Sequence, residues 1–139
     1  MKEQEVLVKW TGKRQFVGTD SGNHSIVISS HDEENHTGMK PSELLLLALA
    51  SCSAYDVVGI LKKKRLQLDG LDITVHGEQE PEPPSAFCKI HLKFFLTGPD
   101  LTEKAVEQAI DLSLTKYCSV AATISPRADI THEFEILGN

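Results

Sequence analysis

Cys52, Cys88 and Cys118 are the side chains of this sequence best suited to covalent chemistry. A thiol ionises to a strong nucleophile and can be oxidised and reduced again, so the question is which of the three is placed for it. An odd number of cysteines without close spacing does not make a disulfide scaffold. Cys88 is in phase with Ile90, Leu92, Phe94 and Leu96, with Lys89, His91 and Lys93 on the alternate positions. That period of two predicts a strand, with Cys88 as a small buried hydrophobe on its packed face. Cys52 and Cys118 each interrupt an otherwise helical segment, 66 positions apart. On residue type alone, two buried cysteines that merely pack are the simpler reading, because free cysteine is among the most buried residues. His31 and His36 add ring nitrogens, but two histidines in an acidic loop read as solvated, and no metal or other cofactor is expected. The sequence has no glycine-rich phosphate loop, no Cys-x-x-Cys, no zinc spacing and no Gly-x-Ser-x-Gly elbow.

The element that must position Cys52 runs from Pro41 to Arg65. Pro41 suits the first helical position, Glu43 lies in the first turn, and Lys62 to Arg65 close the last, each with the sign that the helix dipole favours. The segment predicts a helix of roughly 37 Å, with Cys52 near its middle. Leu44 to Ala50 is apolar on every side and is expected to be buried all round. Asp56, Ser42, Ser51 and Ser53 argue against a membrane span.

Before this helix, Val6, Val8 and Trp10 alternate with Leu7 and Lys9, predicting a strand with one buried side. Phe16-Val17 and Ser25 to Ser29 predict two more strands of an antiparallel meander. Residues 30–40 form a polar loop. After the helix, Leu71, Ile73 and Val75 predict a strand, followed by the strand that holds Cys88. Asp100 is the expected N-cap of a second helix, with Glu103 three positions on. Val106, Ala109, Ile110 and Ser113 form its inner stripe, which Tyr117 and Cys118 close. Ile130, His132, Phe134 and Ile136 alternate in a last strand. The pattern is α+β in a single domain, residues 1–139, with antiparallel sheets packed on a long central helix.

A net charge of -6 argues against a nucleic-acid partner. With 40% hydrophobic and 24% charged residues, the composition is that of an ordinary water-soluble globular chain. The opening Met-Lys-Glu-Gln-Glu-Val has no apolar signal region, and a cytoplasmic location is expected.

Pro41-Ser-Glu-Leu-Leu-Leu-Leu-Ala-Leu-Ala-Ser-Cys52, followed by Lys116-Tyr-Cys-Ser-Val120, resembles the paired signature of the OsmC/Ohr family of small thiol peroxidases. Asp56-Val-Val-Gly-Ile-Leu-Lys62 and Asp111-Leu-Ser113 make it most similar to the YhfA-like branch. The likeness covers nearly the whole chain. It implies an intertwined homodimer with the central helices in the core and active sites at the subunit interface. It also implies reduction of organic hydroperoxides to alcohols, with Cys52 as peroxidatic and Cys118 as resolving cysteine. The reductant would be a dithiol such as a lipoyl group. A different reading keeps the fold and the cysteines in a stress-response or binding protein without efficient turnover.

A free thiol is only a few per cent ionised at neutral pH, and a mid-helix cysteine gains little from the helix dipole, so a cation must help. Family members use an arginine held by a glutamate just after the helix-starting proline. Here Ser42 occupies that place and the acid comes at Glu43. Nine residues at about 100° each set Glu43 on the opposite side of a straight helix from Cys52. Arg14, in the meander, is the candidate cation. The loop before the helix offers His31, His36 and Lys40 but no arginine.

Overall fold

The structure, a computed structural model, describes residues 1–138. The chain divides into two compact units, Met1–Leu45 and Leu46 to the C-terminus, with helix α1 (Pro41–Lys63) running from one into the other.

In the first unit, β1 (Leu7–Gly12), β2 (Gln15–Thr19) and β3 (Ser25–Ser29) form an antiparallel meander in that order. The alternation read for β1 is there, but its expected buried side is not. Within the single chain both faces of β1 are open, and Trp10 is 66% exposed. Alternation reports a strand with an apolar face; it does not say whether the same chain covers that face. The polar loop is more organised than its composition suggests. Asp32 accepts from Ser30 Oγ (2.6 Å), Glu34 N (3.1 Å) and Asn35 Nδ2 (2.7 Å), and Asn35 is buried. Asn35 Oδ1 in turn accepts from Arg14 N at 3.2 Å, tying the loop to the β1–β2 turn. Gly38 passes so close to β3 that a Cβ there would lie 2.5 Å from the Val27 carbonyl oxygen.

Helix α1 ends two residues before the expected Arg65. Arg65 has φ of 60°, Leu66 N donates to Leu61 O and Arg65 N to Lys62 O, a left-handed cap that closes the last turn. The expectation that Leu44 to Ala50 is buried all round fails within one chain: Leu45 is 40% and Leu47 49% exposed. Further along, Leu49, Ser53, Val57 and Leu61 recur every four residues as one fully buried stripe.

The second unit is built on β4 (Gly70–Gln79), β5 (Phe87–Thr97) and β6 (Asp129–Leu137), with β5 central. β4 and β5 are antiparallel, as expected. β5 and β6 are parallel, which corrects the all-antiparallel reading. The reason is the connection. Residues 98–128 hold α2 (Glu103–Leu112), a single π-helical turn (Ser113–Tyr117) and α3 (Ser119–Ile124), and such a crossover brings the chain back to start β6 beside the start of β5. Ile90, Leu92, Phe94 and Leu96 of β5 pack in one core with Val106, Ala109 and Ile110 of α2 and the α1 stripe. The N-cap of α2 is Thr102 rather than Asp100: Thr102 Oγ1 accepts from Ala105 N at 3.2 Å.

Candidate active site

The buried stripe of α1 carries one polar residue, Ser53, and the inner stripe of α2 ends on another, Ser113, both fully buried. A buried hydroxyl needs a partner, and these two meet. Ser113 Oγ lies 2.9 Å from Ser53 Oγ and 2.9 Å from Asp56 Oδ2. The Ser113 hydroxyl is the donor in both contacts, its one proton directed between the Asp56 carboxylate and the Ser53 hydroxyl oxygen. This contact pins α1 to the end of α2 just where the regular helix gives way.

The π turn begins at Ser113. Ser113 N donates to the Ala109 and Ile110 carbonyls, and Cys118 N donates to Ser113 O at 2.7 Å. The inserted residue redirects the chain, so Cys118 leaves the helical path in extended conformation and becomes the N-cap of α3. Its sulfur accepts from Ala121 N at 3.3 Å. On the α1 side, Cys52 and Asp56 are four apart and share a helix face. The outcome is a cluster in which a Cys52 Sγ, an Asp56 carboxylate oxygen and the Cys118 Sγ all lie within 4.8 Å of one another. Cys118 is buried, while Cys52 and Asp56 are partly so. Burial, with the Cys52 thiol beside it, pushes the Cys118 thiol up to about 11. Asp56 also lines a cleft of about 450 Å³ with Tyr55, Gly59, Lys63 and Tyr117. Cys118 forms part of the wall of another, of about 600 Å³, with Lys116, Ala128 and His132.

The two thiols singled out in the sequence thus come together. Cys88 does not join them: it is partly buried on β5, with its Sγ directed at Glu78 O, 3.4 Å away. Arg14 and Glu43 both belong to the first unit, and both are exposed. Arg14 follows Lys13, whose φ is 50°, and lines a cleft with His31, Lys40, Pro41 and Ser42. No ion pair joins Arg14 to Glu43 among the described residues. His31 and His36 stack with ring centroids 4.1 Å apart, and His31 Nε2 contacts Gly38 O at 2.8 Å. Sequence reasoning placed Ser113 on the inner stripe of the second helix but missed its contact with Ser53 and Asp56. The four-residue step from Cys52 to Asp56 and the inward phase of Ser113 were the available signals.

The fold is α+β, with Cys52 on α1 and Cys118 at the α2–α3 junction brought within 4.8 Å of each other. Residues 31–133 match the OsmC-like protein family, and the chain belongs to it. It is 37% identical over 133 residues to Protein YhfA of Escherichia coli (strain K12), covering 96% of this chain and 98% of that one. Among solved structures it is similar to a hypothetical protein from Aquifex aeolicus VF5, with TM-score 0.90 and 32% identity over 100% of this chain and 99% of that one. The fold is also that of the organic hydroperoxide resistance protein OhrB of Bacillus subtilis, with TM-score 0.64 and 16% identity over 96% of this chain and 98% of that one.

Proposed function

We propose that the chain is a cysteine-based thiol peroxidase that reduces organic hydroperoxides to alcohols. The observation that carries this reading is the approach of the Cys52 and Cys118 sulfurs to within 4.8 Å. A disulfide needs about 2.05 Å, so the sulfurs have at most a few ångströms to close, within reach of a rotamer change. In the reaction the Cys52 thiolate attacks the peroxide O–O bond. The alkoxide takes a proton and leaves as alcohol, and Cys52 becomes a sulfenic acid. The Cys118 thiol then displaces water from it and forms the Cys52–Cys118 disulfide. A dithiol, a lipoyl group being one such, reduces that bond by two exchange steps and leaves as its own disulfide. Arg14 is the candidate activating cation and Glu43 the acid of the first turn of α1, and no metal or cofactor takes part in these steps. The OsmC-like family and the organic hydroperoxide resistance proteins that share the fold support this assignment.

The exposed apolar side chains support a homodimer as the working form. Leu7, Val8 and Trp10 on β1, Val6 just before it, and Leu45 and Leu47 on α1 are open within one chain. So large an apolar surface favours association with a second copy, with the α1 helices buried together. The length and apolarity of α1 would also suit a membrane span. Its buried Ser53 and its Asp56, both engaged with Ser113, instead fit a helix at the core of a water-soluble protein.

One observation favours a second reading. The Asp56 carboxylate lies within 4.8 Å of both sulfurs, and no step of the peroxide chemistry calls for an acid there. A stress-response or binding protein with little turnover would tolerate this. Steady-state consumption of cumene hydroperoxide with dihydrolipoamide separates the two. Turnover that exceeds that with hydrogen peroxide and vanishes in Cys52→Ser supports the peroxidase. A wild-type rate no higher than that of Cys52→Ser supports the binding protein.

A further inference from the structure

Three acidic groups face one another in the Cys52–Asp56–Cys118 cluster, and the proposed peroxidase chemistry uses only two of them. Asp56 has no part in sulfenic acid formation or its resolution. Yet it is held in place by Ser113 Oγ at 2.9 Å, itself backed by Ser53 Oγ. We propose that in the reduced protein these three side chains form a binding site for a thiophilic divalent cation of the Zn²⁺ type.

The donor chemistry fits. Two thiolates and one carboxylate carry three negative charges, and sulfur with oxygen is a familiar zinc donor mix. The geometry fits as well. With Zn–S near 2.3 Å, two tetrahedral sulfur ligands stand about 3.8 Å apart, so donor atoms already within 4.8 Å close on an ion by side-chain rotation. The frame is rigid where it must be. Cys52 and Asp56 sit one turn apart on α1, and Cys118 is anchored by its backbone bond to Ser113 O at 2.7 Å. The Ser113 hydroxyl orients the carboxylate from behind, as outer-sphere partners do for metal ligands. Asp56 borders one solvent-open cleft, with Tyr55, Gly59 and Lys63, and Cys118 borders another, with Lys116 and His132. Three protein donors leave a fourth position for water or a small ligand.

The site is tested on reduced protein with no hydroperoxide present, so its failure and that of the peroxidase are separate results. Co²⁺ or Cd²⁺ is titrated in while the thiolate-to-metal charge-transfer absorption is recorded, and Zn²⁺ affinity is measured against a chromogenic chelator. One ion per chain is expected, with an absorption intensity corresponding to two thiolates. Cys52→Ser and Cys118→Ser should each halve that intensity. Asp56→Asn should keep both thiolate contributions but weaken Zn²⁺ binding by about tenfold or more, at least what the loss of an outer-sphere partner costs. Cys88→Ala should bind as the parent does, and the Cys52–Cys118 disulfide form should not bind. Circular dichroism of each variant checks that it is folded. Absorption that survives intact in Cys118→Ser, or that disappears in Cys88→Ala, would overturn the assignment. So would equal Zn²⁺ affinity in Asp56→Asn and the parent.

Discussion

Ser113→Ala isolates the contact on which the cluster rests. Ser113 is fully buried, and its hydroxyl is shared between the Asp56 carboxylate and the Ser53 hydroxyl, each at 2.9 Å. A hydrogen bond to a charged group is worth about 1.5–3 kcal/mol and a neutral one about 1. Asp56 is only partly buried, so the lower end of the charged range applies. Alanine returns about 0.5 kcal/mol through its better helix propensity. The net loss should be about 2 kcal/mol. With a urea slope near 2 kcal/mol/M, that moves the midpoint down by about 1 M. Ser53→Ala should cost less, about 1 kcal/mol, because Ser113 still donates to Asp56. Urea unfolding followed by far-UV circular dichroism measures both, and the double variant gives the coupling. A Ser113→Ala protein within about 0.5 kcal/mol of the parent, the scatter of ordinary surface substitutions, would refute this account of how α1 is joined to α2.

Three further outcomes follow from the same geometry. Phe94→Ala removes a fully buried ring from the centre of the β5 core and should cost about 3–5 kcal/mol, read from the same urea curves. Cys88→Ala, at a partly buried position, should cost about 1 kcal/mol or less and leave hydroperoxide consumption at the parent rate. The Glu133 carboxyl is held below its usual range by hydrogen bonding to His91 (2.7 Å), and then by Lys93 (3.4 Å). A carboxylate with a depressed folded-state value stabilises the fold at pH above its unfolded value, near 4.3. That contribution fades as pH falls through the lower folded value. Glu133→Gln should therefore flatten the acid limb of a stability–pH curve below about pH 4.5.

How much of this was legible in the sequence depends on whether the cause is local. Periodicity found β5 and the inner stripe of α2, where Val106, Ala109, Ile110 and Ser113 are all buried. The dipole-matched ends of α1 fixed its start at Pro41, though the left-handed turn at Arg65 is set by capping geometry and trimmed its end. Thr102 and Asp100 are both competent caps, and only the path of the chain after Gly98-Pro99 chooses between them. The parallel pairing of β5 with β6 could not be read, because alternation is the same in either direction. Trp10 and Leu47 looked buried because apolarity says what a side chain avoids, not which chain covers it. The meeting of Cys52 with Cys118 has no local signature; it depends on the π turn at Ser113–Tyr117, which no residue pattern announces. The family resemblance supplied that pair, and it did not supply the part played by Asp56.

The most direct test of the central claim is the connectivity of the oxidised protein. The fully reduced chain is treated with one equivalent of tert-butyl hydroperoxide, quenched with a thiol-blocking reagent, digested without reduction and mapped by mass spectrometry. The two sulfurs within 4.8 Å predict one Cys52–Cys118 disulfide per chain, with Cys88 recovered as the blocked thiol. In Cys118→Ser, the same treatment should leave Cys52 as sulfenic acid and its over-oxidation products. A disulfide that contains Cys88, or a chain that keeps three free thiols while the hydroperoxide persists, would contradict the account.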